Sequence, residues 1–170
     1  MTEPSHGAMH AALAKSLAAQ RRHVLGIVDG LEDAALRRPV LPSGWTCLGL
    51  VQHLALDVER FWFGAVIAGD PVTIAGLDTV EDAWQVDAPV PASTALDLYR
   101  QTVSDADAVI ASTPLAAAPA WWPADLFGDF RLHSLGEIML HVIGETACHA
   151  GHLDAARELL DGRQWFVIED

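Results

Sequence analysis

Four stretches of the chain repeat apolar residues at helical spacing. In the first, roughly 9–28, Leu13, Leu17, Val24, Leu25 and Val28 form a stripe, and Gly30 follows as a stop. Residues 31–36 add a short turn before Pro39 and Pro42. The second stretch begins after Thr46, a good N-cap, and runs to about 68, where Gly69-Asp70-Pro71 ends it. Ser93 or Thr94 caps the third, which carries Leu96, Leu98, Val103 and Ile110 and stops before Pro114. Ser134 with Glu137 three residues on reads as a capping box for the fourth, which continues to about 160 and closes at Asp161-Gly162. An apolar tail, 164–168, is free to pack back along the helices. The connection 69–92 is long for neighbouring antiparallel helices and suits a crossover that lets helices two and three run parallel.

Composition agrees with an all-α fold. The chain is 51% hydrophobic but only 7% aromatic, Ala and Leu are abundant, and β-branched residues are dispersed. At 170 residues one domain spanning 1–170 is expected, with no repeat or linker to divide it. The formal net charge of -13 repels phosphate backbones and anionic lipid, which argues against nucleic acid and membrane partners. No apolar run reaches the roughly 18 residues of a membrane span. The N-terminus has no basic-then-apolar leader pattern. Cys47 and Cys148 are isolated thiols, which suit a reducing cytoplasm.

The fourth helix holds the chemistry. Residues four apart on a helix lie about 40° apart around its axis, so Glu145 and His149 project side by side and can grip one ion. The same stripe carries His141 and His152. A polar cluster on an inward face is costly unless something satisfies it, and a metal ion does so. An exposed i,i+4 pair is the competing reading of Glu145 with His149. The second helix offers His53, with Leu50, Asp57 and Gly64 on its face. Two imidazoles and a carboxylate match an open zinc site and also suit Fe, Ni or Mn. His141, His152 and Asp57 read as orienting or pocket residues, Cys148 as a small buried thiol. Di-iron bundles need Glu on every helix and two Glu-x-x-His motifs, and zincins need His-Glu-x-x-His; neither pattern is present.

Three stretches resemble the DinB/YfiT-like superfamily of metal-binding four-helix bundles, in particular its mycothiol-dependent branch. They are Ser43-Gly44-Trp45 leading into Gly49 through Leu54, Glu59-Arg60-Phe61-Trp62-Phe63, and the run His141 through Gly162, most specifically Glu145-Thr146-Ala147-Cys148-His149-Ala150-Gly151-His152. The resemblance implies an up-down-down-up bundle and a metal triad of His53, Glu145 and His149, with Glu145 standing where many members have a histidine. That departure is similar to the mycothiol-dependent maleylpyruvate isomerases. Those carry a further C-terminal domain, and this chain ends at Asp170, so a stand-alone thiol S-transferase is the closer expectation.

The expected activity is therefore attack of a low-molecular-weight thiol, of mycothiol type, on a small electrophile. One divalent ion, zinc foremost, would serve it. His152 and His141 are the candidates to orient ligands or accept protons. Trp121 and Trp122 are candidates for an apolar pocket wall, or else plug the end of the bundle. Arg60 is the candidate for a cofactor carboxylate, against a solvated face as the plain alternative. The alternative function is a non-catalytic metal- or small-molecule-binding protein related to stress. Relatives are often dimers, so the resemblance also allows a homodimer.

Overall fold

A computed structural model describes residues 6–77 and 82–165. Its elements are α1 (His6–Val28), α2 (Asp33–Leu36), α3 (Cys47–His53), a π-helical segment (Leu54–Ile67) running on from α3, α4 (Pro71–Ala75), α5 (Ala92–Ser112), α6 (Ala124–Phe127) and α7 (Leu135–Asp161). Among the described residues the secondary structure is entirely helical, as the apolar spacing predicts.

The ends of the long helices follow the expected signals with one exception. Thr46 caps α3 by accepting from the Gly49 amide at 3.0 Å. Ser134 caps α7 by accepting from the Glu137 amide at 3.2 Å, while the Glu137 carboxylate accepts from the His133 amide at 2.7 Å. Gly162 ends α7 at φ +80°, where a Cβ would be strained. Neither Ser93 nor Thr94 caps α5. That helix starts earlier, after Pro91, and its first amide is satisfied from outside by Asp33 Oδ1 at 3.0 Å.

Helix α1 packs along α7, and α5 packs along α3 and the π-helical segment; α7 also touches that segment, and α1 touches α5. One cluster of buried apolar side chains lies between them, including Leu17, Ile27, Leu50, Leu54, Phe63, Tyr99, Met139 and Leu153. At the start of the apolar tail, Trp165 stacks on His23 with centroids 4.9 Å apart and fills the space that a side chain at Gly26 would need. Residues 166–168 lie outside the described residues.

The second helix departs most from expectation. From Leu54 its backbone follows π-helical bonding, and the Ala68 amide donates five residues back to the Phe63 carbonyl at 3.0 Å. Such bonding ordinarily occupies a single turn. The wider turn advances less around the axis per residue, so the α-helical face drawn through Leu50, His53, Asp57 and Gly64 breaks up. Asp57 stays beside His53; Gly64 turns toward α4 and lines a different cavity.

Candidate functional site

His53 closes α3, and its position is set by what lies around the helix start. Gly49 allows the crossover segment to press on α3, since a Cβ there would collide with the Trp84 carbonyl. One turn on, Gln52 Nε2 donates to the carbonyls of Ala83 at 3.0 Å and Gln85 at 2.8 Å. This double anchor lays the Trp84 ring flat on His53, with centroids 4.1 Å apart and planes 19° apart. On the other side, His53 Nδ1 lies 2.8 Å from Asp57 Oδ2. A carboxylate accepts, so Nδ1 carries a proton, and the tautomer this selects in a neutral ring is the one with its lone pair on Nε2.

Helix α7 brings the partners. The His149 ring meets His53 edge-on with centroids 5.1 Å apart, and Trp84 also covers it at 5.6 Å. His149 Nε2 is 3.6 Å from Glu145 Oε2, while its Nδ1 is 3.4 Å from His152 Nδ1. Trp45 stands over His152 at 6.1 Å. Burial holds the His149 imidazole below the ordinary histidine range; the nearby His53 acts in the same direction and Glu145 opposes it. Near neutral pH His149 is therefore uncharged, the form that donates a lone pair.

The polar stripe of α7 is not part of the inward face. That face is Ile138, Met139, Val142, Thr146, Ala150 and Leu153, all buried. Glu145 lies at its edge with a side chain 43% exposed, and His149 is 13% exposed. Cys148 is exposed, contrary to the buried thiol expected, because it falls on the outer side of this edge. Cys47 is the buried thiol, and burial raises its pKa to about 11, which leaves it inert.

Beside the pair lies a cleft of about 410 Å³ lined by His53, Asp57, Val58, Phe61, Trp62, Leu126, Phe127, His141 and Glu145. His141 meets Trp62 edge-on at 4.8 Å. The two candidate proton acceptors thus part company: His141 faces the cleft, while His152 sits behind His149. Trp122 packs on Trp62 and Phe127, and Trp121 on Phe61, so both back the cleft without lining it. Arg60 points elsewhere, into a cavity of about 330 Å³ that it shares with Thr73, Gln101 and Asp105 between the π-helical segment, α4 and α5.

The donor types and their neighbourhood suit a divalent ion: two imidazoles, one with its tautomer set by Asp57, and a carboxylate. As the side chains stand, no group of three or more His, Cys, Asp or Glu among the described residues is drawn together into a metal cage. Trp84 is the site residue that sequence reasoning missed. The signal was faint: the one aromatic residue of the crossover, with a glutamine directly before His53.

Fold and cleft together define a helical protein with an open cleft walled by imidazole and carboxylate on one side and by aromatic rings on the other. The mycothiol-S-transferase family model matches residues 12–162, and the chain belongs to that family. This bears out the likeness to mycothiol-related proteins read from the sequence motifs. No curated protein and no solved structure matches the chain. Among the described residues no helix is long and apolar enough to cross a membrane.

Proposed function

We propose that this protein transfers a low-molecular-weight thiol of mycothiol type to a small electrophile, using a divalent ion, zinc foremost, held by His53, Glu145 and His149. The reading treats the four long helical stretches as a single-domain, up-down-down-up bundle in the cytoplasm. The observation that carries it is the meeting of His53 and His149 edge-on at 5.1 Å, with Glu145 3.6 Å from His149 Nε2, at the mouth of an open cleft. Family membership supplies the thiol and the electrophile as partners.

Each residue then has a separable task. Asp57 holds His53 in the tautomer that presents Nε2. His152 does the same for His149 from the Nδ1 side, and Glu145, the most exposed of the three donors, supplies the rotation needed to close on an ion. A divalent ion bound there would supply positive charge that favours the thiolate form of a nearby thiol. His141, facing the cleft, accepts the thiol proton. The sulfur lone pair forms the new carbon–sulfur bond, and a displaced group departs with the electrons of the bond it leaves. Trp84 and Trp45 cover the imidazoles and limit water at the donor side.

An open cleft of this volume favours turnover over mere retention of an ion, which is the alternative reading. Incubating zinc-loaded protein with mycothiol and monochlorobimane, beside a His53→Ala control, tests the proposal. Conjugation above the control is expected; equal rates in both would reject it.

A further inference from the structure

The second wall of the cleft has no evident part in holding a thiol. Trp62 stacks on Phe127 with centroids 5.5 Å apart and planes 16° apart, and Phe61 meets Phe127 edge-on at 6.0 Å. Leu126, on the short helix α6, completes this wall while remaining 67% exposed. The open part of this wall is Leu126 with the half-buried Phe127, while Trp62 and Phe61, 4% and 8% exposed, back it as a packed aromatic floor. A concave apolar surface of this kind is the usual make-up of a small-molecule seat. No lysine or arginine lines the cleft, whereas Asp57 and Glu145 do. An ion held by His53, Glu145 and His149 would have its charge met by Glu145 and by the bound thiolate, so a carboxylate or phosphate on the second ligand would find little counter-charge and would face Asp57. At about 410 Å³ the cleft lies near the small end of the roughly 300–1,000 Å³ range for ligand pockets.

We infer that the electrophile accepted here is uncharged, flat and apolar, an aromatic or conjugated system of one or two rings seated on Leu126 and Phe127 over the edge of Trp62. The word electrophile rests on the transferase reading above; the seat needs neither thiol nor metal. A ring placed offset or edge-on to Phe127 gains the quadrupole attraction that aliphatic chains lack.

Equilibrium dialysis of metal-free protein against two unreactive probes separates the claims: 1,3-dinitrobenzene, flat and neutral, and 3-nitrobenzoate, flat and anionic. The neutral probe is expected to bind saturably and about tenfold or more tightly than the anion. Leu126→Glu, at an exposed position that leaves the packed rings in place, should weaken the neutral probe by about tenfold with an unchanged melting curve. Arg100→Gln, at an exposed position of α5 outside the cleft lining, should leave that affinity within about twofold. Equal affinity for the two probes, no saturable binding of the neutral one, or an unaltered Leu126→Glu variant would each overturn the inference while leaving thiol transfer intact. Binding as expected in a protein that conjugates nothing would sink the transferase reading and keep the seat.

Discussion

Two polar clusters flank the same second helix, and they are built to opposite ends. On one face, Arg21 from α1 makes a two-pronged pair with Glu59, at 2.7 and 2.6 Å, and holds Asp107 of α5 at 2.6 Å. Arg21 and Glu59 are 4% and 1% exposed. Their opposite charges meet each other out of contact with solvent, and the more exposed Asp107 completes the set. On the other face, the Glu145 side chain is 43% exposed and those of His53 and His149 are 14% and 13%, and among the described residues their polar partners are Asp57, His152 and one another. The closed cluster ties α1, the π-helical segment and α5 together. The open cluster leaves lone pairs turned toward a cleft. Similar residue types thus do structural work where they satisfy one another, and remain available for a ligand where they do not.

The largest test of this contrast is Arg21→Met. It would leave the Glu59 carboxylate buried without its partner, and chemical denaturation should show a loss of about 3–5 kcal/mol. A loss below about 1 kcal/mol, the ordinary worth of an exposed pair, would erase the distinction between the clusters.

Next in size is Asp57→Asn, on the open side. The amide still reaches His53 but no longer fixes its tautomer, so zinc affinity, read by competition with a chromophoric chelator, should fall by about 10–100-fold. The melting temperature should scarcely move. Gly49→Ala sharpens the comparison from a third direction, because its Cβ would meet the Trp84 carbonyl. Relieving that overlap should cost about 1–3 kcal/mol and pull Trp84 off His53, visible as a red-shifted tryptophan emission.

The smallest effect expected is in pH. The folded state holds His149 below its unfolded value, so the unfolded chain takes up the proton first as the solution is acidified. The resulting contribution is fully present above the unfolded value of about 6.5 and is lost as pH falls through the folded one. Urea midpoints of metal-free protein should therefore decline below neutral pH, and less steeply in His149→Gln. Parallel curves for the two proteins would place the acid sensitivity elsewhere.

The helical class, the Thr46 and Ser134 caps and the Gly162 stop were legible because each is a local rule, settled within a turn of backbone. The pairing of Glu145 with His149 was legible for the same reason, being separated by four residues of regular α-helix. Gly64 was misplaced because the periodic argument assumes regular α-geometry, and the chain abandons it at Leu54. Nothing in the periodicity marks Arg21; only packing against Glu59 makes it the buried centre of a network, and a period of 3.6 residues cannot reveal a partner on another helix.

What the sequence by itself determined is the inventory and its local order: the helices, most of their caps, and a histidine-rich edge on the last of them. Tertiary structure alone decided that Trp84 lies across His53, that His141 faces the cleft while His152 does not, and that Arg60 serves another cavity. The physical reason is one of range. Hydrogen bonds along a helix reward patterns a few residues long, whereas the crossover docks where Gly49 leaves room and Gln52 offers donors, a fit between surfaces that exists only once the chain has folded.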